Sequence, residues 1–484
     1  MALLQDELTL VIDIGKSHAK LLMVDGQGGV VERHGRKNAS VVSALGYPAL
    51  DVHGLQEWMA QTLRASDNTA RCSHTIASTH GAAMVALDET GLAWEPLDYE
   101  WDGLASYPLL AQAFNAAADG FSSILSPDLP AGLNAARQLF YVQNLHADAW
   151  RRTRYLVPYA QYWAWLLCGE RASEVSSLGC HTHLWQPQTG GFSTLAQARG
   201  WADLFAPLRS AWEVLGPVCP DIVRQWGLPP HCQVHVGVHD SNACLARYLT
   251  RQMSESPDPA ALTVVSSGTW TVLMAPGGPT ATLQAERDML ANVDVLGRAT
   301  PTARFMGGRE FAALLDGAPA DAGTLDDVRR LIETGTMALP SFAPEGGPFK
   351  DRVGMLLRGV DYLSCKPSDS LSSAERSALA AVYCAQVTAL LVDHLWKGVS
   401  AISPSLVVEG PLASNSLYLS VLQALLPRHA LAFSNDALEG TARGAWLLCH
   451  WAGGQSHPDF LRPAPVCALR GLMEYHLRWV AALG

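Results

Sequence analysis

The sequence predicts an α/β protein built from two similar domains. Three observations carry this reading. A strand, a tip of small and hydroxyl residues around a glycine, and a second strand occur at residues 8–25 and again at 262–274. Strand-like runs alternate with helical patterns along the chain, the order that packs helices onto sheets. Between the two hairpins, residues 250–260 (TRQMSESPDPA) form a polar, proline-containing stretch of the kind found at domain boundaries. The expected domains are therefore 1–249 and 250–484, and 484 residues suffice for each to bury its own core.

Composition narrows the function classes. The chain is 49% hydrophobic and 16% charged, with 41 Gly and 28 Pro, ordinary values for a large globular enzyme. A net charge of −11 and the absence of a basic run argue against a nucleic-acid surface. They do not argue against a phosphate ligand, which backbone amides can hold locally. Ten scattered cysteines without a CxxC pair fit neither a zinc knuckle nor a disulfide scaffold, and imply free thiols in a reducing cytosol. Gln5, Asp6 and Glu7 interrupt the apolar run that a secretory leader needs. No uninterrupted apolar stretch reaches the ~18 residues of a membrane span. The expected location is the cytoplasm.

Taken in order, residues 8–14 (LTLVIDI) form a nearly continuous apolar strand ending in Asp13-Ile14-Gly15-Lys16-Ser17, with return strands at 19–25 and 30–33. A Gly-Lys-Ser tip aims several backbone N–H groups the same way, as amide nests for phosphate do, and Asp13 beside it is suited to Mg²⁺. An ordinary tight hairpin is the competing reading, and the Walker spacing is absent. An amphipathic helix at 54–63 and a strand at 75–78 lead to His80-Gly81, a strand at 84–87 and a turn at 88–91. Residues 96–101 (PLDYEW) gather aromatic and acidic groups, either a sugar site or a core edge. Helices follow at 134–144 and 158–168, the second with an aromatic stripe typical of a core.

The alternation Val234, Val236, Val238 then reads as a short strand that stops at His239-Asp240-Ser241-Asn242. Open α/β sheets bind ligands at the carboxyl ends of strands. Asp240 is there either a catalytic base or the cap of the helix beginning near 243. In the second half, 262–274 repeats the first hairpin around Gly268. Gly307-Gly308-Arg309-Glu310 opens a helix, 374–396 is the longest helical pattern, and 406–411 is a strand entering a loop. A helix at 415–426, a strand at 430–433 and a helix from 438 containing Gly440, Gly444 and Ala445 complete the chain. The small residues of that last helix suit close approach to a backbone, to a flat ligand or to a sheet.

Read together, DIGKSHAKL, STHGAAMVALDETG, NAARQLFYVQN with YAQYWAWLLCGE, GVHDSNA, SSGTWTVLM, LVVEGPLASN and EGTARGAWLL resemble the FGGY carbohydrate kinase family, within the sugar kinase, actin and heat-shock ATPase superfamily. SSGTW followed by a strand looks most like the L-fuculose and L-rhamnulose kinase branch. The resemblance implies two actin-like (ribonuclease H-like) domains with a nucleotide and sugar cleft between them, and ATP and Mg²⁺ as cofactors. It implies Asp13 as the metal-associated carboxylate and Asp240 as the catalytic base. It places Gly15, Lys16, Ser17, Lys20, Gly268, Thr269, Gly410 and Asn415 at the nucleotide, with Gly444-Ala445 in the helix behind the adenosine loop. Substrate-side segments align at His80, Gly81, Tyr99, Glu100, Asn134, Gln138 and Asn242.

Three departures bear on this. Lys16 replaces a small hydroxyl residue, so it either contacts phosphate itself or alters the loop. Gly410-Pro411 replaces Gly-Gly. The Trp-x-Asp-x-Arg sugar segment is reduced to Tyr99-Glu100-Trp101-Asp102-Gly103.

The implied reaction is transfer of the ATP γ-phosphoryl group to a hydroxyl of a ketose or deoxyketose such as L-fuculose or L-rhamnulose. The expected partner is a small-molecule sugar, with no nucleic acid and no membrane; a homodimer is left open. An actin-like ATPase or pseudokinase without sugar kinase activity is the alternative, and would need no aromatic sugar wall. A sugar sensor is a third reading, against which the lack of a helix-turn-helix segment counts.

Overall fold

The computed structural model describes residues 7–255, 261–343, 346–364, 366–399, 405–434, 440–451 and 461–484. The interrupted leader at 5–7 therefore lies almost wholly outside the described residues, as do the last part of the 250–260 boundary and the expected helix start at 438. The chain forms two compact units, but not two uninterrupted halves. The first comprises Met1–Pro257, Ala291–Ala299 and Glu439–Pro458, and the second Asp258–Leu290, Thr300–Leu438 and Asp459–Gly484. A single cut at 249/250 is thus replaced by a chain path that returns twice to the first unit. No linear composition change marks those returns.

In the first unit, strands β1 (Leu8–Ile14), β2 (His18–Val24), β3 (Val30–Lys37), β4 (Cys72–Thr79), β5 (Val214–Pro217) and β6 (Gln233–His235) form a sheet in the order β5-β6-β4-β1-β2-β3. A further strand, β7 (Val238–His239), also pairs with β4. The β1–β2 and β2–β3 pairs are antiparallel, whereas β4 runs parallel to β1 and β6 parallel to β4, with β5 antiparallel to β6 at the edge. β1 is apolar almost throughout because both of its faces are covered. At the edge, β3 (VVERHGRK) alternates half-buried and exposed residues and carries charge that discourages further pairing.

Helix α1 (Val52–Ala65) is capped by Asp51, whose carboxylate accepts the Gly54 N–H at 2.9 Å, and it buries Val52, Leu55, Met59 and Leu63 on one face. α2 (Ala135–Leu145) and α3 (Tyr159–Cys168) occupy the expected 134–144 and 158–168 spans. The aromatic stripe of α3 is core: Tyr159, Tyr162 and Trp163 are buried.

The expected strand through 234–238 is interrupted. Gln233 and Val234 pair with His74 and Thr75, but Val238 and His239 pair with Ser78 and Thr79, so one extra residue has entered. Gly237 takes φ +92 at this bulge, and a Cβ there would lie 2.8 Å from the Ala77 carbonyl oxygen. The carbonyls of Val236 and Gly237, withdrawn from the ladder, accept from the buried Gln161 amide at 3.2 and 3.1 Å. Helix α4 (Asp240–Glu255) starts at Asp240 itself, three residues earlier than expected.

The second unit repeats this plan. Its strands β8 (Leu262–Ser267), β9 (Thr271–Met274), β10 (Ala299–Phe305), β11 (Ser405–Glu409), β12 (Ala430–Ser434) and β13 (Leu461–Pro463) lie in the order β10-β9-β8-β11-β12-β13. From the hairpin strand outward the directions match strand for strand: antiparallel β9 and β10 on one side, parallel β11 and β12 on the other, then an antiparallel edge. The duplication read from the two hairpins therefore extends to both sheets.

Helices α5 (Gly307–Leu315), α6 (Ser373–Leu395) and α7 (Ser416–Leu425) pack together in this unit. Among the described residues α6 is the one helix long and apolar enough to cross a membrane, but 89% of its apolar window is buried inside the protein. The rule that no uninterrupted apolar run is long enough thus missed a helix that polar residues only punctuate. A further helix, α8 (Gly440–Cys449), belongs to the first unit and lies along α4.

Glu310, near the start of α5, is buried and accepts hydrogen bonds from the Tyr383 hydroxyl and the Phe342 N–H. Burial pushes its carboxyl up to about 7 despite those donors. The folded protein therefore holds a proton that the unfolded chain has released near the ordinary glutamate value, and stability from this group falls as pH rises from about 4.5 to about 7. Over that window the loss is roughly 3 kcal/mol. Glu310→Gln is expected to flatten it, as urea unfolding at stepped pH would read. An unchanged pH slope in the variant would remove Glu310 as its source.

Candidate active site

The ends of β1, β4 and β7 in the first unit bring chemistry-bearing residues together. Asp13 lies opposite Lys20 on the paired strand, with Lys20 Nζ 3.8 Å from its carboxylate. Burial raises the Asp13 carboxyl to about 6; Lys20 pulls it down, and the negative charge of Asp240 pushes it up. An acidic group left partly uncompensated in this way suits a cation. Among the described residues no cluster of three or more metal-ligating side chains exists. A single buried carboxylate of this kind suits Mg²⁺, which usually takes one or two carboxylates and fills its octahedron with water and substrate phosphates.

The hairpin tip is tight: the Gly15 N–H donates to the His18 carbonyl at 2.9 Å, and the Asn38 side chain braces the Gly15 carbonyl at 2.8 Å. Ser17 is exposed there. Lys16 turns elsewhere. Its ammonium donates to Asp98 Oδ2 at 2.6 Å, lies 3.4 Å from Glu100, and sits 5.7 Å from the centre of the Tyr99 ring. Burial alone would raise Asp98, but Lys16, the Ser40 hydroxyl and the Glu100 N–H outweigh it and hold that carboxyl below its usual range. The sequence left Lys16 either contacting phosphate or altering the loop; here its ammonium is paired with a carboxylate 82 residues away that no local pattern signals.

Lys16→Met would leave the buried Asp98 charge unpaired. It is expected to cost roughly 3 kcal/mol in denaturant unfolding while leaving ATP affinity unchanged. Weakened ATP binding at parent stability would return Lys16 to the phosphates.

His80 is buried, its Nδ1 2.9 Å from the Gly81 carbonyl and its ring packed on Tyr99 and Tyr159 at 5.0 and 5.2 Å. Burial lowers its pKa. Tyr99 lies against this pair, while Glu100 reaches solvent. Trp101 stacks on Tyr47 and meets Tyr141 edge-on, which settles that residue as core edge. The enclosed space beside Lys16, Ser40, His80 and Asp98 is about 20 Å³, room for one water and not for a sugar.

Two further substrate-side assignments change. Asn134 is fully buried: its oxygen accepts the Leu129 N–H at 2.7 Å and its nitrogen donates to the His181 carbonyl at 2.8 Å. It shapes the 127–133 loop and offers nothing to a ligand. Gln138 likewise spends its amide on the carbonyls of Ala82 and Gly132, both at 2.7 Å. Asn242 is also buried, its amide nitrogen 3.1 Å from His239 Nδ1.

Asp240 stands at the first position of α4, where the helix dipole favours an anion. Its Oδ1 accepts from the Ser241 N–H at 2.6 Å and the Ser241 hydroxyl at 3.2 Å, and lies 3.2 Å from His239 Nε2. Among the described residues Oδ2 has no partner, and the side chain is 31% exposed. Gly81 passes beneath: a Cβ there would meet Cys180 Sγ at 2.6 Å and His239 Nε2 at 3.0 Å. Cys180 gave no sequence signal, since its place depends on a loop 100 residues from Gly81.

In the second unit, a cavity of about 730 Å³ is lined by Gly268, Thr269, Gly308, Arg309, Pro411 and Asn415, among others. That volume suits a ligand of nucleotide size. The hairpin tip rests on the N-terminus of α5, with a Cβ on Gly308 falling 2.3 Å from the Gly268 carbonyl. Helix N-termini of this kind bind phosphate. Gly410 has φ +80 and crosses Ser267 so closely that a Cβ would lie 1.9 Å from its carbonyl oxygen. Pro411 is compatible with the loop, because it opens a 3₁₀ turn (Pro411–Ser414), where no N–H is required. Asn415 caps α7, accepting the Tyr418 N–H at 2.9 Å, and faces the cavity. Gly444 does not face a ligand: it lies on α4, where a Cβ would fall 1.8 Å from the Ala243 carbonyl oxygen.

Residues 259–458 match the family model described as carbohydrate kinase FGGY, C-terminal domain. Over 99% of both chains the fold is similar to that of a carbohydrate kinase from Novosphingobium aromaticivorans, with 33% identity and a TM-score of 0.85. A ligand-bound xylulose kinase from Lactobacillus acidophilus shares the fold at 12% identity and a TM-score of 0.74, over 99% of this chain and 97% of that one. An L-fuculokinase from Salmonella typhi is 24% identical over 289 residues, 57% of this chain and 58% of that protein.

Proposed function

Because this chain belongs to the FGGY carbohydrate kinases, we propose that it transfers the γ-phosphoryl group of ATP to a hydroxyl of a ketose or deoxyketose, with L-fuculose and L-rhamnulose as first candidates. The observation that carries the reading is the Asp240 carboxylate, one oxygen held by donors and the other open at a helix start. A base must keep one oxygen available to the hydroxyl it deprotonates. Asp240 Oδ2 takes that proton as the hydroxyl oxygen attacks phosphorus and ADP leaves.

Phosphoryl transfer needs positioning and charge stabilisation more than covalent help. Gly15, Ser17 and Lys20 of the first hairpin, and Gly268 with Thr269 of the second, are assigned to the phosphates; Gly410 and Asn415 shape the nucleotide side. Mg²⁺, when held by Asp13 and its water shell, offsets phosphate charge. On the acceptor side, Tyr99 supplies an aromatic face, backed by the buried His80, and Glu100 a carboxylate for sugar hydroxyls. Gly81 gives the His239 ring and Cys180 the room to pack beneath Asp240.

A coupled ADP-release screen over ketoses, deoxyketoses and polyols tests the proposal. Sugar-dependent ADP release with a phosphorylated product is expected. ADP release independent of any sugar would favour the ATPase reading instead.

A further inference from the structure

We propose that His239 is a positioning residue for Asp240, locked by Asn242 in the tautomer that carries its proton on Nε2. The inference rests on the reading of Asp240 as the base. It begins with a constraint on donors. The Asn242 amide nitrogen lies 3.1 Å from His239 Nδ1, and a primary amide nitrogen can only donate. Nδ1 must therefore be the acceptor, and the ring proton sits on Nε2.

The other end of the ring imposes the same answer independently. Nε2 lies 3.2 Å from Asp240 Oδ1, a charge contact rather than an aligned hydrogen bond, and against that anion an N–H is favoured over a nitrogen lone pair. The opposite tautomer would set two donors against each other at Nδ1 and a nitrogen lone pair against an anion at Nε2. Burial lowers the His239 pKa, so the group presented to Asp240 is a neutral N–H and not a second charge.

The surrounding chain fixes the ring itself. His239 ends β7, immediately after the one-residue bulge, and its Nε2 passes over Gly81, where a Cβ would come to 3.0 Å. Cys180 closes the same side and donates its thiol to the Ser177 carbonyl at 3.1 Å. Within this frame Ser241 puts two donors on Oδ1, and the His239 Nε2 edge stands 3.2 Å from the same oxygen. They stop the carboxylate from rotating and leave Oδ2 as the oxygen turned to the acceptor hydroxyl.

The test uses the full chain with His239→Leu, His239→Gln and Asn242→Asp, each checked for folding by thermal melting. ¹⁵N spectra of the histidine-labelled, unliganded protein at pH 7.5 read the tautomer without any substrate, and the His239 signals are identified by their loss in His239→Gln. Nε2 protonation is expected in the parent, and a change of tautomer or added protonation in Asn242→Asp, whose carboxylate accepts from Nδ1–H. With L-fuculose or L-rhamnulose as acceptor, His239→Leu is expected to lower kcat roughly 10- to 100-fold at unchanged KM for ATP. His239→Gln, which keeps an N–H of similar reach, is expected to recover most of that loss.

A parent signal protonated at Nδ1 overturns the proposal, as does His239→Leu turning over at the parent rate. A purely structural role would lower the Leu and Gln variants alike, and that result also overturns it. Failure of the base reading looks different, because Asp240→Asn would then retain turnover whatever His239 does.

Discussion

Asp240→Asn is expected to lower kcat for sugar phosphorylation by ~10²–10⁴-fold while leaving ATP affinity close to that of the parent. The substitution isolates one atom. The asparagine carbonyl can still accept from the Ser241 N–H and the Ser241 hydroxyl, so the start of α4 keeps its hydrogen bonds. Only Oδ2 changes, from a proton acceptor into an NH₂ group that cannot take a proton. Paired calorimetric ATP titration and initial-rate measurements read the two effects separately. Turnover near the parent rate would exclude Asp240 as the base; a joint loss of ATP binding and melting temperature would mark a folding defect.

Gly444→Ala is expected to be among the most destabilising single-methyl additions in the chain. Its Cβ would fall 1.8 Å from the Ala243 carbonyl oxygen, a backbone atom of α4 that cannot rotate aside. Relief requires α8 to lift away from α4 along its length. Overpacking of a rigid core typically costs 1–3 kcal/mol, and a backbone obstacle puts this site at about the upper end. Gly191→Ala, where no atom lies within 4 Å and φ is not left-handed, is the matched control and should be near neutral. Because α4 begins with Asp240, the Gly444 variant should also lose activity before it loses secondary structure, as activity and far-ultraviolet dichroism on one heating series would show. Equal melting temperatures for the two variants would mean that α8 and α4 do not meet backbone to backbone at Gly444.

Much of the architecture was legible because it is local. The β1–β2 and β8–β9 hairpins, the aromatic face of α3 and the long α6 each declare themselves through burial repeating along a short stretch. What escaped depends on pairing across long separations. Lys16 reads as a phosphate ligand until Asp98 is seen beside it. Asn134 is a polar residue in the right segment, yet its amide is consumed by the Leu129 N–H and by the His181 carbonyl, the latter 47 residues away. The bulge at Gly237 is invisible in the Val234, Val236, Val238 alternation, since all three side chains are buried either way. Only the offset against β4 reveals it.

The return of residues 439–458 to the first unit bears on any attempt to separate the lobes genetically. A fragment ending near residue 250 would lack the helix that covers the flank of the base-bearing one, and would present bare apolar surface around Ala243 and Leu245. The N-terminal gene half therefore does not encode the whole of the first unit. Co-expressed pieces would have to exchange a helix to become whole, which makes a split version of this enzyme a natural two-part reporter.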